Sequence, residues 1–343
     1  MKLYHHISPN PIMVKEFRSR MRGWRAFAML TIYLIFLALF SYGIYRLVLL
    51  SPPYSGMPLS PFIGQALYAA IVNLSLFFVA FLTPALTATA ISSEHERLTL
   101  EMLQATPLAS HSILFGKLIS TAGYIFLLLF AAVPVLSLVF IFGGVDVLDL
   151  FLSALVIWAT AVTFGMIGLF FSAWRKRTIQ AIVLTYLVIL IFIIGTYFVY
   201  IFSGVITQDF PSRAVLVINP FSALASVLAR TGSQGGVSGL FGILAGWGAW
   251  AVNGDPTQIE SIRPLWHYTL AFDLVLSTGL YLLATQFVKP IRRWQFGRQT
   301  VIVVIVIIIL YGVLGAGIFY QDAYDFVYPV SPQPTPTPVM FIN

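Results

Sequence analysis

The chain has 343 residues, of which 59% are hydrophobic and only 9% are charged, and its formal net charge at pH 7 is +7. A soluble domain of this length could not bury so much apolar surface, since soluble proteins usually carry about 25% charged residues. The composition therefore excludes a soluble globular protein and indicates a membrane protein. Cysteine is absent from the sequence, so disulfide bonds are excluded as well.

The first segment, residues 1–25, contains a basic amphipathic stretch. At about 100° per residue, a helix over residues 10–25 has an apolar face and a basic face. The apolar face carries Met13, Phe17, Met21 and Trp24, and the basic face carries Lys15, Arg18, Arg22 and Arg25. Such a helix is expected to lie along the membrane interface before the first span. Two roles stay open, a basic flank that only orients the first span and a docking surface for a partner.

Seven apolar runs are long enough to cross a hydrocarbon core of about 30 Å at about 1.5 Å per residue. They lie near residues 26–50, 66–91, 118–142, 150–174, 178–206, 265–288 and 300–320. Spans one to five thus occupy residues 26–206, and spans six and seven occupy residues 265–320. The predicted fold class is all-α, a polytopic transmembrane helical bundle of about seven spans. Pro84 and Pro134 are expected to kink the second and third spans.

Residues 92–117, between the second and third runs, interrupt the apolar pattern with charge. On a helix, Glu94, Arg97 and Glu101 are spaced for pairing along the surface, beside an apolar stripe. The helix is predicted to end at Thr106-Pro107, because the residue before a proline avoids the α conformation. A short amphipathic helix at the membrane face is expected to offer a charged surface to a soluble partner.

The distribution of cations predicts the orientation of the spans. With the N-terminus in the cytoplasm, 15 of the 19 lysine and arginine residues lie in cytoplasmic segments or at the span ends beside them. The other four are Arg46, Arg213, Arg230 and Arg263. An odd number of spans places the C-terminus outside. Topology and contacts with anionic lipid headgroups explain the positive charge, so no nucleic-acid partner is needed.

The longest external segment in this orientation is residues 207–264. It contains an Asn-Pro-Phe triplet at residues 219–221, a short helical stretch, and a glycine-rich apolar patch over residues 237–252. The patch has about 16 residues, too few to cross the membrane comfortably, so a re-entrant or interfacial element is favoured over a span. The last residues, 321–343, are expected to form an external tail rich in proline and threonine.

Three polar residues inside the spans are candidates for function. Asp273 lies about two turns into the sixth span, where a carboxylate is a functional candidate by default. Arg46 lies at a comparable depth in the first span and could neutralise Asp273 in an ion pair, and contact with a transported ion or substrate is the alternative. Asn73 in the second span is a weak candidate for the substrate path, and an interhelical hydrogen bond is its other interpretation.

No catalytic residue and no metal site are predicted. His95-Glu96 begins like a zinc-protease helix, but Thr99 occupies the position that the second histidine would need. The Gly-Val-Ser-Gly stretch at residues 236–239 and His267 match the serine and histidine of rhomboid proteases only at the level of chance. The phosphate-loop pattern G-x-x-x-x-G-K-[ST] does not occur, so ATP-driven work would require a partner chain.

Residues 94–107, followed by Leu-Phe-Gly-Lys-Leu at residues 114–118, resemble the cytoplasmic coupling segment of the type-2 exporter permeases of ATP-binding-cassette transporters. The matching positions are Glu94, Glu96, Thr99, Leu100, Glu101, Leu103, Thr106, Pro107, Gly116 and Lys117. Leu98 stands where that family usually has glycine, and it is expected to continue the helix. The N-terminal segment and the triplet at residues 219–221 are similar to the same family.

The resemblance implies the permease subunit of an ATP-driven exporter in the inner membrane. It would pair with a second permease, as a homodimer or a related heterodimer, and with separate ATPase chains. Those ATPase chains would bind ATP and magnesium, and no cofactor is expected in this chain. The coupling residues implied are Glu94, Glu96, Arg97, Leu100, Glu101, Thr106 and Pro107, together with Lys15, Glu16, Phe17, Arg18 and Arg22 of the N-terminal helix. Family members typically have six spans, so the seventh run is a departure. The alternative function is a non-transport membrane scaffold or assembly factor.

Overall fold

The computed structural model describes residues 11–21, 23–50, 59–99, 110–207, 213–231 and 265–288. These residues form helices without any β-strand, which confirms the predicted all-α fold class. The helices are α1 (Pro11–Met21), α2 (Trp24–Leu50), α3 (Leu59–Ala88), α4 (Ser92–Glu96), α5 (Ser110–Ala131), α6 (Val133–Phe142), α7 (Val147–Trp174), α8 (Thr178–Leu190), a π-helical turn (Ile191–Gly195), α9 (Thr196–Thr207), a 3-10 turn (Arg213–Ile218), α10 (Pro220–Thr231) and α11 (Trp266–Val288).

Six stretches of these helices are long and apolar enough to cross a membrane. They correspond to α2, α3, α5 with α6, α7, α8 with α9, and α11, which confirms six of the predicted runs. The second and third begin about two turns earlier than predicted, at Leu59 and Ser110. Pro61 does not prevent the earlier start of α3, because first-turn amides need no partner within the helix. The predicted run at 300–320, the patch at 237–252 and the tail at 321–343 lie outside the described residues.

The second and fourth spans, α3 and α7, are the most buried and pack along each other at the centre of the bundle. Gly168 of α7 permits their close approach, since a Cβ atom there would collide with the Thr87 side chain and lie 3.1 Å from the amide nitrogen of Ala88. Near the other end of the pair, the hydroxyl of Tyr68 donates to the carbonyl oxygen of Asp149 over 2.7 Å. Small residues and interhelical hydrogen bonds are the usual means by which membrane helices pack, and both operate here.

The Asn-Pro-Phe triplet at residues 219–221 attaches α10 to the fifth span. Asn219 caps α10, because its Oδ1 accepts a hydrogen bond from the backbone N–H of Phe221 at 2.9 Å. Its Nδ2 donates to the carbonyl oxygen of Ile193 and to the hydroxyl of Thr196, both at 2.9 Å. Ile193 belongs to the π-helical turn, where the α-helical hydrogen-bond pattern is interrupted. The predicted short helix is thus confirmed as α10, and it is buried against α7 and α11.

Replacing Asn219 by alanine is expected to lower the free energy of unfolding by about 1–3 kcal/mol, because the N-cap is lost and buried polar groups lose their partner. Asn73→Ala is the matched control, since the Asn73 side chain donates only to the carbonyl oxygen of Ala69 in its own helix, at 2.8 Å, among the described contacts. Thermal unfolding of both variants in detergent tests this. Equal midpoints for the two would contradict the role assigned to Asn219.

Candidate functional site

The side chain of Lys117, near the beginning of α5, joins three segments that are distant in sequence. Its Nζ donates to Glu16 Oε1 of α1 at 3.1 Å, to Glu94 Oε1 of α4 at 2.9 Å, and to the carbonyl oxygen of Ala90 at 2.8 Å. A lysine ammonium has three N–H donors, so all of them are used. The Lys117 side chain is only 3% exposed, and two carboxylates compensate the cost of burying its charge. We name Lys117, Glu16, Glu94 and Ala90 the Lys117 junction.

Further hydrogen bonds attach the α4 segment to the fourth and fifth spans. The hydroxyl oxygen of Ser172, near the end of α7, accepts from the backbone N–H groups of Ile91 and Ser92, both at 2.9 Å. The carboxylate of Glu96 accepts from the backbone N–H of Thr178 at 2.8 Å and from its hydroxyl at 2.9 Å. The Glu96 carboxylate therefore gives a partner to an N–H at the beginning of α8 that has none within the helix. Its negative charge also interacts favourably with the positive end of the helix dipole.

The helix in this segment is shorter than predicted. It ends at Glu96, and Leu98 has a φ of +57°, in the left-handed region that favours glycine. The prediction that Leu98 continues the helix is therefore wrong, because the chain turns at the position where glycine is usual in the family it resembles. Residues 100–109 lie outside the described part of the chain. The roles of Leu100, Glu101, Thr106 and Pro107 thus stay predictions.

The predicted surface pairing of Glu94 with Arg97 is not formed. Glu94 points inward to Lys117, and its side chain is 20% exposed. Arg97 is exposed, and no ion pair within 4.0 Å links it to another described residue. Leu98 beside it is 69% exposed. The outward surface of this turn is therefore made by Arg97 and Leu98, and Glu94 belongs to the interior of the junction.

The predicted N-terminal helix is confirmed as α1, although with different bounds. It ends at Met21, and Trp24 begins α2 instead of completing the apolar face that the periodicity predicted. Phe17 packs against Gly123 of α5, where an added Cβ atom would lie 3.1 Å from the Phe17 ring. Together with the ion pair between Glu16 and Lys117, this contact makes α1 part of the bundle and not merely a basic flank.

Two cations of α1, Lys15 and Arg18, take no part in these contacts. Lys15 and Arg18 are both exposed. Neither forms an ion pair with a described residue. The side chain of Arg22 lies outside the described part of the structure, so its predicted interfacial role stays a prediction.

The three polar residues predicted inside the spans lie apart. Arg46 is exposed on α2, whereas Asp273 is buried on α11, and the two form no ion pair. The predicted neutralisation of Asp273 by Arg46 is wrong because α2 packs on α3, while α11 packs on α7. There the hydroxyl of Thr163 donates to the carbonyl oxygen of Asp273 over 3.4 Å. Asn73 bonds to its own helix and makes no interhelical hydrogen bond among the described contacts.

Sequence reasoning did not identify Ser172 or Thr178 as site residues. It named Lys117 only as a position of the family motif and as one of the cytoplasmic cations, without its two carboxylate partners. Serine and threonine near the ends of apolar runs are too common to be singled out. Lys117 carried a stronger signal, because a cation at the edge of an apolar run must find anionic partners when it is buried. Its two carboxylate partners lie 23 and 101 residues away, so nothing local identified them.

Comparison with known proteins agrees with this architecture. A family model described as "ABC-2 family transporter protein" matches residues 11–319, which is nearly the whole chain. The match includes all six candidate spans and every member of the Lys117 junction. A comparison with curated proteins finds no match. The chain therefore belongs to the ABC-2 transporter family and is a multi-pass membrane permease subunit of an ATP-binding-cassette transporter.

Proposed function

We propose that this permease belongs to an ATP-driven exporter and that the α4 segment receives the conformational signal from a separate ATPase chain. ATP and magnesium would bind to that ATPase. The observation that carries the proposal is the Lys117 junction, since it ties α4 to α1 and α5 through one buried ammonium group. Ser172 and Thr178 tie the same segment to α7 and α8. A force applied to α4 would therefore reach four neighbouring elements through short polar contacts.

The turn after α4 is the surface proposed to contact the ATPase. Arg97 and Leu98 are exposed, and Leu98 holds a left-handed backbone that costs energy for a residue other than glycine. Such a conformation is retained where the surrounding structure or a partner requires it. Glu94 and Glu96 hold α4 to the bundle through Lys117 and Thr178, respectively.

A photo-crosslinking amino acid in place of Arg97 is expected to capture the ATPase chain in native membranes, with mass spectrometry identifying a protein that contains a phosphate-binding loop. The same amino acid in place of Ala38, exposed on α2, is the control and should not capture it. Arg97→Glu should also reduce co-purification of that ATPase. Identical crosslinking from the two positions would contradict the proposed contact.

We further propose that two permease copies form the translocation path along the faces of their second and fifth spans. Asn73, Phe77 and Phe81 share one face of α3 at helical spacing. Phe77 and Phe81 are each 48% exposed, so this face of α3 is available to a second permease copy within the membrane. Tyr186 of α8 extends this face, since its hydroxyl donates to the carbonyl oxygen of Phe81 at 2.7 Å.

Single cysteines are expected to test the dimer cleanly, because the native chain has none. Cysteine in place of Phe77 or Phe81 should crosslink two copies, whereas cysteine in place of Phe126, exposed on α5, should not. The ATPase crosslink from position 97 serves as the check that each preparation is assembled. An assembled preparation in which neither position on α3 crosslinks would rule out this interface.

The orientation is proposed from the cations. The end of the bundle that carries α4 would face the cytoplasm, together with the N-terminus, because the predicted seven-span topology assigns 15 of the 19 lysine and arginine residues to that side. The C-terminus would then lie outside if residues 300–320 form the seventh span.

A further inference from the structure

Three consecutive cations connect the fourth span to the fifth. Trp174 ends α7 and Thr178 begins α8, so the connection consists of Arg175, Lys176 and Arg177. We name these three residues the basic turn. Because each residue of an extended chain spans at most about 3.6 Å, so short a connection cannot lie far from the ends of the two helices.

The lengths of the two spans place the basic turn among the lipid headgroups. The fourth span has 28 residues and the fifth has 29. At about 1.5 Å per residue each span is about 42–44 Å long, which exceeds a hydrocarbon core of about 30 Å by about 6–7 Å at each end. The headgroup layer on each side of the core is about 5–8 Å thick. The basic turn therefore lies level with the lipid phosphates.

The side chains around the basic turn agree with this depth. The guanidinium carbon of Arg175 lies 4.1 Å from the ring centroid of Trp174, and tryptophan is enriched at membrane interfaces. Farther along α8, Val183 and Leu187 are both exposed and share one face with Ile179 at helical spacing. The cations thus lie at the end of an apolar helix face that borders the hydrocarbon.

The basic turn carries more positive charge than its neighbours neutralise. Lys176 and Arg177 are exposed, and no residue of the turn forms an ion pair within the described part of the chain. One carboxylate reaches the turn, that of Glu96, which Arg177 attracts and which accepts its hydrogen bonds from Thr178. Three cations and one carboxylate leave a net charge of about +2 at the level of the headgroups.

We propose that the basic turn binds the headgroup of an anionic phospholipid, whose acyl chain lies along the exposed face of α8. Guanidinium and ammonium groups both bind phosphate oxygens, and the apolar face below them fits the acyl chain. An acidic soluble partner would match the cations but could not reach the apolar face inside the hydrocarbon. The site includes neither Arg97 nor Leu98, so lipid binding can be measured without the ATPase.

Brominated lipids test the site, because bromine quenches a nearby fluorophore over short distances. The full chain, with Leu187→Cys as its only cysteine, is labelled with a fluorophore and placed in nanodiscs. Quenching by brominated phosphatidylglycerol and by brominated phosphatidylcholine is compared at equal mole fractions. The net charge predicts a preference for the anionic lipid on the order of tenfold, and this preference should fall as salt is raised.

Phe198 supplies the matched control position on the same span. Leu187 is nine residues from Thr178 and Phe198 is eight residues from Ile206, so the two exposed side chains lie at similar depths in opposite leaflets. Removing charge from the basic turn should leave quenching at position 198 unchanged. That result also shows that the variant is still inserted in the membrane.

Three double variants separate the basic turn from general surface charge. Lys176→Gln with Arg177→Gln should abolish most of the preference at position 187, whereas the charge-preserving pair Lys176→Arg with Arg177→Lys should keep it. Lys15→Gln with Arg18→Gln removes two exposed cations elsewhere and should also keep it.

Three results would overturn the proposed site. Equal quenching by the two lipids at position 187 would mean that only bulk lipid lies there. Equal losses of preference in the two glutamine variants would mean that overall charge, and not the basic turn, attracts the lipid. No quenching by either lipid at position 187, with normal quenching at position 198, would mean that protein covers this face of α8.

Discussion

Replacement of Lys117 by methionine is expected to lower the free energy of unfolding by about 3–5 kcal/mol, because removing one partner of a buried ion pair leaves an uncompensated charge. Here the carboxylates of Glu16 and Glu94 would both lose their counterion. They are only 21% and 20% exposed, so water would compensate their charges poorly. Methionine keeps an unbranched apolar stem, so the change isolates the loss of the ammonium group. Thermal unfolding in detergent measures the effect, and the ATPase crosslink from position 97 measures its consequence for coupling.

If the unpaired carboxylates cause this loss of stability, removing their charge should restore part of it. Adding Glu16→Gln and Glu94→Gln to Lys117→Met should recover part of the lost stability, because the triple variant has no buried charge without a counterion. Lys176→Met is the matched control and is expected to lie within about 0.5 kcal/mol of the native chain, since Lys176 is exposed. A triple variant less stable than Lys117→Met would show that the junction acts by packing and not by charge.

Substitution of Gly168 by alanine is expected to cost about 1–3 kcal/mol, as extra atoms in a tightly packed core usually do. The added methyl group would meet the Thr87 side chain and the backbone nitrogen of Ala88 at once. Thr87 can rotate only by giving up the hydrogen bond that its hydroxyl donates to the carbonyl oxygen of Thr83 at 2.9 Å. The α3–α7 pair would therefore separate slightly. Cysteine crosslinks between the two helices would report this separation alongside the unfolding midpoint.

Gly43→Ala supplies the matched control. A Cβ atom at Gly43 of α2 would meet nothing within 4 Å, so the same chemical change is made in open space. Its effect is expected to lie between no change and a stabilisation of about 1 kcal/mol, because alanine has the higher helix propensity. Equal loss of stability in the two variants would contradict the cause assigned at Gly168, because the backbone preference of a helix favours alanine over glycine and Gly43 has no close contact.

The sequence by itself determined the class of the protein, the existence of six of its spans and the place of the charged segment. A membrane interior contains no water to satisfy backbone groups, so long apolar runs must be helices, and run length alone locates them. The helix at the N-terminus followed from the periodic spacing of its apolar and basic residues, and the short helical stretch after residues 219–221 was also read correctly. Each of these predictions depends on residues that are near one another in the chain.

Only the tertiary structure decided which polar groups meet. Glu94 was predicted to pair with Arg97, but it forms an ion pair with Lys117. Asp273 was predicted to pair with Arg46, but it lies on α11 against Thr163 of α7. All six described spans are strongly apolar, so local sequence does not say which helix packs on which. Close contacts such as that at Gly168 select the neighbours, and a buried charge then pairs with whatever group the packing brings within reach. The Lys117 junction is thus a property of helix packing, because its members come from three segments that no periodicity connects.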